Sequence, residues 1–456
     1  MRVFALVVTL VAAGCTTSRL VGQPNLSVRE DTISLVRHDK VDILFMVDNS
    51  PSMAPKQDAL RQSFPQLVDR IANLSTTGAP ASFHIGVITS DLGAGPYSLN
   101  QGQCHPGGDN GQLRTAASPS VTNLPAACAG FTLPGGYIDY DSSTGTSNLG
   151  TLDVATAFTC LASVGESGCG FEHQLESVYR ALSTPSPNPG FLRDDALLVV
   201  VLLTDEDDCS APPDSTLFDP SSNGVVTYGT LHSFRCTQFG VTCDGKPLTG
   251  GAISSTSCVP VTGGPLFDVA RYTQLFGDGG VKQSRSDVLL VSFAAPSLPF
   301  DVTVTQPCAD QVNTPSCAML AHSCSKGPSF FGDPAVRINS VVAAMDNAVS
   351  ASICEADYAN TLDSMADAMA AQMRAGCLPG AIVDLRDPGC VVTVGGAEAV
   401  RCNNDGRLPC WDLVDDMGCP ARMTPAGATQ RFRFVVEGNL SAAPVVATCP
   451  FYEPIP

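Results

Sequence analysis

The cysteine content constrains this chain more than any other feature. The sequence has 456 residues and 19 cysteines, and apart from Cys15 these are spread from Cys104 to Cys449 without a CxxC pair. Because the usual spacing of a zinc site is absent, disulfide bonds are the expected state of the cysteines. Disulfides persist in oxidising compartments. The sequence therefore predicts an extracytoplasmic protein that is braced by disulfides.

The N-terminus resembles that of a bacterial lipoprotein. After a positive start, the apolar run Val3–Ala13 has the length of a signal-peptide core and is too short to span a bilayer. Small residues then lead to Cys15, as in a lipobox, although Ala12 stands where leucine is usual. The resemblance implies a lipoprotein signal peptide over residues 1–14 and lipidation of Cys15. An ordinary signal peptide that is cleaved nearby is the alternative.

The residues after Cys15 extend this prediction. Thr16 rather than an aspartate follows the cysteine, which in a Gram-negative host resembles the signal for the outer membrane. Residues 15–38 are polar and mixed, and we interpret them as a tether. Since no other stretch is long and apolar enough for a transmembrane helix, attachment would depend on the lipid alone. The expected location is the cell envelope, as an outer-membrane-anchored lipoprotein that faces the periplasm or the cell surface.

The charge balance narrows the range of partners. The chain has 25 Lys and Arg against 44 Asp and Glu, a net charge of −19. A general nucleic-acid binder needs a basic face, so that class of function is not expected. The acidic balance suits a soluble extracytoplasmic protein or a cation binder. The hydrophobic content of 44% permits a sizeable core.

Four apolar runs are typical of central strands that are buried on both faces of a parallel sheet. Between them, apolar residues recur at helical spacing, as at Leu60, Phe64, Leu67 and Ile71. This alternation of strands and helices predicts an α/β fold with a doubly wound, mostly parallel sheet of the Rossmann-like kind. The four predicted strands cover residues 41–47, 82–90, 196–204 and 287–295.

Three long stretches rich in Gly, Pro, Ser and Thr interrupt this alternation, at about 93–165, 211–265 and 296–333. Loops of this length are usually functional or independently braced, and cysteines recur in each of the three. We therefore interpret them as disulfide-braced insertions in a domain that covers residues 39–376. The remaining residues, 377–456, have short β-type runs and six cysteines without a helical stripe, which predicts a Cys-rich β module.

Candidate metal ligands follow two of the predicted strands. The first strand is followed by Asp48, Ser50 and Ser52, so that a carboxylate and two hydroxyls stand on alternate residues of a turn. The third strand ends in Asp205. Ligands of open α/β sheets bind at the carboxyl ends of the strands, and these hard oxygen donors suit Mg²⁺ or Ca²⁺. Asp205 joins the cluster if the two strands are neighbours.

At these residues the chain resembles the von Willebrand factor type A family. The motif is DNSPS at 48–52 after the strand VDILFMV, together with TD at 204–205 after LLVVVLL. The resemblance covers roughly residues 39–376 and implies a von Willebrand A-like doubly wound fold. It also implies a metal-ion-dependent adhesion site with Mg²⁺ or Ca²⁺ held by Asp48, Ser50, Ser52 and Asp205. The alternative is that Asp48 and Ser50 only cap the following helix.

The sequence departs from the family at the loop that should supply a threonine. The corresponding segment is 168–173, GCGFEH, which has no threonine. Glu172 is the residue there that offers an oxygen ligand, and an added carboxylate would favour calcium or occupy the position meant for a partner. After Asp205, the acidic run 206–208 is interpreted as a solvated turn, with a second cation site as the alternative.

These observations predict a binding protein of the cell envelope. An adhesion site of this kind leaves a coordination position open, which a partner protein fills with a carboxylate, and the insertions select the partner. The alternative is a structural envelope subunit in which a metal only stabilises the fold. No motif supports an enzyme: HExxH and GxSxG are absent, and the near-match to a phosphate-binding loop at 240–246 has Pro247 in place of Ser or Thr.

Overall fold

The structure is a computed structural model. It describes residues 28–34, 40–74, 82–99, 104–305, 316–373, 377–402, 407–416, 419, 421–437 and 445–452. The predicted signal peptide, Cys15 and most of the predicted tether lie outside these residues. The α-helices of the described chain are α1 (Ala54–Leu74), α2 (Val154–Leu161), α3 (Gln174–Leu182), α4 (Ser222–Tyr228), α5 (Phe234–Gly240), α6 (Ala270–Leu275), α7 (Val336–Ala343) and α8 (Ala359–Met373).

The described strands fall into several sheets. In chain order they are β1 (Val28–Ser34), β2 (Lys40–Val47), β3 (Ser82–Thr89), β4 (Tyr137–Asp141), β5 (Thr146–Ser147), β6 (Leu197–Leu203), β7 (Val241–Cys243), β8 (Lys246–Pro247), β9 (Ile253–Ser255), β10 (Cys258–Pro260), β11 (Val288–Ala294), β12 (Phe300–Thr305), β13 (Cys317–Leu320), β14 (Cys324–Ser325), β15 (Phe331–Gly332), β16 (Ala348–Ser352), β17 (Val391–Val394), β18 (Ala397–Arg401), β19 (Cys410–Asp415), β20 (Arg422–Met423), β21 (Thr429–Gln430), β22 (Phe432–Glu437) and β23 (Val445–Tyr452).

The largest sheet is mixed and has seven strands in the order β16-β11-β6-β2-β3-β4-β5. The first five run parallel to one another, and β4 and β5 are antiparallel additions at one edge. Val47 at the end of β2 is level with Leu203 on one neighbour and with Thr89 on the other. The carboxyl ends of β2, β3 and β6 therefore meet at one edge of the sheet.

Helices cover both faces of this sheet. On one face, α1, α2 and α8 contribute residues such as Phe64, Phe158 and Leu362 to a buried core. On the other face, α3, α6 and α7 contribute residues such as Val178 and Ile338 to a second core. A strand that is covered twice has no polar face, which explains why β6 is an unbroken apolar run. The predicted α/β class is confirmed.

Part of the predicted first insertion belongs to the main sheet and its core. β4 pairs with β3 along Ser82–Gly86, and α2 packs Phe158 against Phe64 of α1. A stretch rich in glycine and serine concealed these elements in the sequence, because β4 alternates polar and apolar residues and α2 is only eight residues long. The sequence analysis also missed β16, a short edge strand of small residues.

The C-terminal residues form a second sheet of six strands, in the order β1-β23-β17-β18-β19-β22. The assignment of residues 15–38 to a tether is wrong for Val28–Ser34, because this segment is strand β1 and pairs antiparallel with β23 from Val28 with Tyr452 to Ser34 with Val446. Three disulfides brace this sheet: Cys377–Cys419, Cys390–Cys449 and Cys402–Cys410. The segment predicted as a Cys-rich β module supplies five of the six strands, β17, β18, β19, β22 and β23.

Eight disulfides join described residues, which confirms the disulfide-rich character. Those outside the C-terminal sheet are Cys104–Cys169, Cys128–Cys160, Cys209–Cys236, Cys243–Cys258 and Cys324–Cys354. The first two tie the Gly-rich stretch to α2 and to the loop before α3, so they hold it against the sheet. Within the part of the chain that the structure describes, no helix is long and apolar enough to cross a membrane.

Removal of the Cys128–Cys160 bridge tests how far the first Gly-rich stretch depends on it. The bridge spans 32 residues. Removal of a disulfide that closes a loop of this length costs a protein about 2–4 kcal/mol of stability. We expect Cys128→Ala/Cys160→Ala to lower the free energy of unfolding by this amount in denaturant titrations. Cys402→Ala/Cys410→Ala opens a loop of only 8 residues and is the matched control with a smaller expected loss. An equal or larger loss in the control would contradict the loop-length argument.

Candidate metal site

The site begins in the turn that follows β2. The backbone N–H of Asp48 donates to the carbonyl of Leu203 (3.0 Å), so the turn continues the pairing of β2 with β6. The N–H of Ser50 donates to Asp48 Oδ1 (2.8 Å), and the N–H of Met53 donates to the Ser50 carbonyl (3.1 Å). The chain reverses within these residues and enters α1. As a result, the hydroxyl oxygens of Ser50 and Ser52 lie 3.3 Å apart.

This separation of the two hydroxyls fits two neighbouring ligands of one metal ion. Adjacent oxygens of an octahedral Mg²⁺ site, each about 2.05 Å from the ion, are about 2.9 Å apart. At the distance of about 2.4 Å that Ca²⁺ prefers, the same separation is about 3.4 Å. The observed 3.3 Å lies within this span, toward the calcium end.

Asp48 is buried and both of its carboxylate oxygens accept hydrogen bonds. Oδ1 accepts from the Ser50 N–H, and Oδ2 accepts from the hydroxyl of Thr204 at 2.6 Å. The amide of Gln57 also donates to the Asp48 carbonyl (2.9 Å). Asp48 therefore shapes the turn and joins it to the end of β6. In the sequence, Thr204 stands out only as part of the TD motif, and no role is predicted for it.

Asp205 forms a buried ion pair that the sequence analysis did not foresee. The ammonium of Lys56, in the first turn of α1, lies 2.6 Å from Asp205 Oδ2, and the two side chains are 0% and 1% exposed. Lys56 also donates to the carbonyl of Ser52 (3.0 Å) and lies 4.0 Å from the centre of the Phe331 ring. The other oxygen, Asp205 Oδ1, is buried without a hydrogen-bond partner among the described residues.

Glu172 reaches the same region from the loop before α3. Its Oε2 accepts a short hydrogen bond from the hydroxyl of Ser90, which follows β3, and its Oε1 is buried with no hydrogen-bond partner in the described chain. The loop itself is held by the N–H of Gly168, which donates to the Asn49 carbonyl (2.9 Å). A Cβ at position 168 would lie 2.5 Å from Asn49 Oδ1, so this close approach requires glycine.

The carboxylates raise the proton affinity of one another. Burial, and then the charge of Asp205, raise the pKa of Asp48 to about 7. Burial, and then the charge of Asp48, raise the pKa of Glu172 well above its usual value. Partial burial, and then the charges of Glu172 and Asp205, raise the pKa of Glu206 well above its usual value. Lys56 alone does not balance these acids, so the cluster would gain from a further cation.

The residues present fit a divalent cation through their hydroxyls and unpartnered oxygens. Ser50 and Ser52 offer a correctly spaced pair, and Asp205 Oδ1 and Glu172 Oε1 lack other partners in the described structure. Among described residues, the group of three His, Cys, Asp or Glu ligands whose atoms lie within 4.8 Å of one another is Cys402, Cys410 and Glu437, and those cysteines are joined in a disulfide. Asp48, Glu172 and Asp205 are therefore more widely spaced than a carboxylate triad.

The acidic run after Asp205 is not a solvated turn, so that prediction is wrong. Asp207 is 9% exposed and Asp208 1% exposed. Asp207 accepts the backbone N–H groups of Arg337 and Ile338 at the start of α7 (3.0 and 3.2 Å), and Asp208 forms a buried ion pair with Arg337 (3.1 Å). These two carboxylates anchor α7 to the end of β6, and the alternative of a second cation site is not needed to explain them.

Comparisons with known proteins add little. No protein-family model matches the chain, and no curated protein matches it. Among solved structures, similarity is found to the pilus adhesin SpaC from Lactobacillus rhamnosus GG (11% identity, TM-score 0.29, 94% of this chain and 41% of that one). It is also found to the pilus adhesin RrgA from Streptococcus pneumoniae (10%, TM-score 0.29, 93% and 59%) and the tip pilin GBS104 from Streptococcus agalactiae (10%, TM-score 0.28, 93% and 80%). The chain thus spans less than two thirds of the first two, and TM-scores this low carry no argument.

Substitution of Lys56 tests the role of its charge. Lys56→Met leaves Asp205 as an unpaired buried carboxylate, which costs about 3–5 kcal/mol, so we expect metal-free protein to lose stability by that amount. The loss of a positive charge beside the cluster should also increase the stabilisation by Mg²⁺ or Ca²⁺ in thermal melts. The control is Lys40→Met, because the Lys40–Asp195 pair is 37% and 61% exposed and is worth at most about 1 kcal/mol. A metal-induced gain no larger than in the wild type would contradict the expectation.

The pKa of Asp48 predicts how the metal-free protein responds to pH. The pKa of Asp48 is about 7 in the folded protein, against an ordinary value of about 3.8, so the folded state holds this proton more tightly than the unfolded chain. Stability contributed by the proton is fully present below about pH 4 and is lost as pH rises toward 7 and above. In EDTA, we expect the melting temperature to fall less between pH 5 and pH 8 for Asp48→Asn than for the wild type. Equal falls for the two proteins would argue against this pKa.

Proposed function

We propose that this protein binds a partner protein of the cell envelope through a divalent cation at the edge of its main sheet. In this proposal the chain is von Willebrand A-like, and Mg²⁺ or Ca²⁺ is held by Ser50 and Ser52 with support from Asp48, Asp205 and Glu172. Its role is adhesion rather than catalysis, and a lipid on Cys15 anchors it to the outer membrane.

One observation carries the proposal. Two hydroxyls 3.3 Å apart lie in the turn after β2. Asp205, two residues after the neighbouring strand β6, keeps one buried oxygen without a hydrogen-bond partner among the described residues. Burying such an oxygen costs free energy unless something binds it. A cation on the two hydroxyls would relieve that cost and the repulsion among the neighbouring carboxylates.

The sheet order supports the same location. From β2 the chain adds β3 and β4 toward one edge, and from β6 it adds β11 and β16 toward the other. The order of the strands therefore reverses between β2 and β6. In doubly wound sheets, ligands bind at the carboxyl ends of the strands beside such a switch point. Asp48 follows one of these two strands and Asp205 follows the other.

The chemistry of recognition follows from these residues. A bound Mg²⁺ or Ca²⁺ would supply a coordination position that the carboxylate of a partner can fill. The chain's own residues hold the hydroxyls in place. Asp48 shapes the turn, and the hydroxyl of Thr204 donates a hydrogen bond to the Asp48 carboxylate. Lys56 holds Asp205 by its other oxygen, which leaves Oδ1 as the oxygen of Asp205 that can respond to a ligand.

A structural role is the second candidate, and the Lys56–Asp205 pair favours it. An ammonium already within 2.6 Å of Asp205 supplies part of the charge that a metal would supply. In that case the protein folds fully without metal and serves as an envelope scaffold. The two candidates differ in whether a partner depends on the cation.

Metal binding itself is tested by titration of the purified protein with Mg²⁺ and Ca²⁺. We expect a rise in melting temperature and a calorimetric binding isotherm, and we expect Ser52→Ala to weaken the affinity at least tenfold because it removes a direct ligand. Ser364→Ala, which removes an exposed hydroxyl on α8, is the matched control and should bind as the wild type does. If Ser52→Ala and the wild type give the same isotherm, the hydroxyl pair is not the metal site.

Partner binding is tested by capture from envelope extracts in Mg²⁺ or Ca²⁺ and again in EDTA. A protein that is retained with metal, released by EDTA and not captured by Ser52→Ala supports metal-dependent adhesion. A partner that both the wild type and Ser52→Ala retain in EDTA supports the scaffold role and contradicts adhesion through the metal.

A further inference from the structure

A pocket of about 130 Å³ lies next to the candidate metal site. Its wall is built from the loop before α3, the residues after β6, the start of α5 and the segment from β13 to Asp333. The pocket therefore lies between the end of the main sheet and two of the predicted insertions, 211–265 and 296–333. Its volume is well below the roughly 300–1,000 Å³ of pockets for drug-sized ligands, so it suits a single side chain or a molecule of that size.

The lining of this pocket is acidic. Glu172, Glu206, Asp207 and Asp333 line it, and neither lysine nor arginine is among the described residues that do so. His322 lies 2.7 Å from Asp333 and pairs with it. Asp207 accepts backbone N–H groups at the start of α7. The two remaining carboxyl groups of the lining, those of Glu172 and Glu206, form no ion pair among the described residues.

Glu172 gives an independent reason to expect a ligand. The residue is 1% exposed, and its Oε1 has no hydrogen-bond partner in the described structure while Oε2 is occupied by Ser90. A buried carboxylate oxygen without a donor is costly. A donor that enters the pocket would satisfy this oxygen once the Glu172 side chain turns it toward the ligand.

The spacing of the acids and the nature of the walls select the kind of ligand. No three donor atoms of these residues lie within 4.8 Å of one another, since the group of described residues that meets this condition is elsewhere. A metal ion needs its ligands closer than that, whereas a planar organic cation can bridge more widely spaced carboxylates. Phe171 and Phe234 add buried aromatic surface to the pocket, and guanidinium groups stack on such surfaces.

We propose that this pocket binds the guanidinium group of an arginine side chain that a partner protein presents. The five N–H donors of a guanidinium can reach Glu172 and Glu206 at once, and its alkyl stem can lie along Leu320 at the wall. This site shares Glu172 with the proposed metal site, but it takes a cation of different chemistry and does not require the metal. A partner that offers a carboxylate and an arginine side by side would engage both.

The test uses the full chain in EDTA and titrates it with N-acetyl-arginine methylamide, which carries the side chain in peptide form. We expect saturable binding by calorimetry or NMR, and at least tenfold weaker binding of the citrulline analogue, which has the same shape without the charge. Butylguanidinium, which lacks the peptide groups, is the comparison ligand. Equal affinity for the two compounds would mean that the pocket recognises the guanidinium alone. Tighter binding of the arginine derivative would mean that the pocket also contacts the backbone of the partner. Absence of saturable binding, or equal affinity for the citrulline analogue, would overturn the proposal.

Variants locate the binding in the pocket. We expect Glu206→Gln to weaken binding of the arginine analogue at least tenfold. Glu398 is an exposed glutamate of β18, and Glu398→Gln should leave the affinity unchanged. Leu320→Trp fills the pocket without altering charge and should also abolish binding, which keeps the test decisive if Glu206→Gln fails to fold. Ser52→Ala should retain full affinity, because the pocket acts without the metal. Loss of binding in Ser52→Ala, or full affinity in folded Leu320→Trp, would contradict the assignment.

Discussion

The parallel pairing of β2 with β6 is the constraint on which the site depends. It sets Val47 level with Leu203, so the residues that follow these strands leave the sheet side by side. The hydrogen bond from Thr204 to Asp48 then crosses between the two chain segments. Two residues that are 157 positions apart in the sequence, 48 and 205, become neighbours for this reason alone. A sheet with another strand between them would separate the hydroxyls from Asp205.

A second constraint is the accumulation of negative charge at that edge. Burial and the charges of neighbouring carboxylates raise the pKa values of Asp48, Glu172, Glu206 and Asp333. Lys56 is placed to limit this cost, since it lies beside Asp205 and donates to the backbone of the same turn. The buried ion pair therefore does two things: it stabilises the turn before any ligand binds, and it leaves one oxygen of Asp205 available.

Several parts of this structure are readable from the sequence because burial dictates them. Strands that are covered on both faces must be apolar throughout, so β2, β3, β6 and β11 are recognisable as runs, and their ends point to Asp48 and Asp205. Elements without that double burial are not recognisable: β4 alternates polar and apolar residues, and β16 consists of small residues. Lys56 was missed because its position in α1 is ordinary for a lysine, and only the fold shows that the side chain is buried.

The acidic run after β6 shows the limit of such reasoning most clearly. From sequence, three acids in a row suggest a solvated turn, since charged residues are rarely buried unless they are paired. Their partners come from distant segments: α7 supplies backbone donors and an arginine to Asp207 and Asp208, whereas Glu206 faces the pocket. Asp207 and Asp208 thus hold the structure together, and Glu206 lines the cavity together with Glu172 and Asp207. Because Asp207 and Asp208 are satisfied within the protein, the acidic groups that remain lie at the candidate metal site and in the pocket beside it.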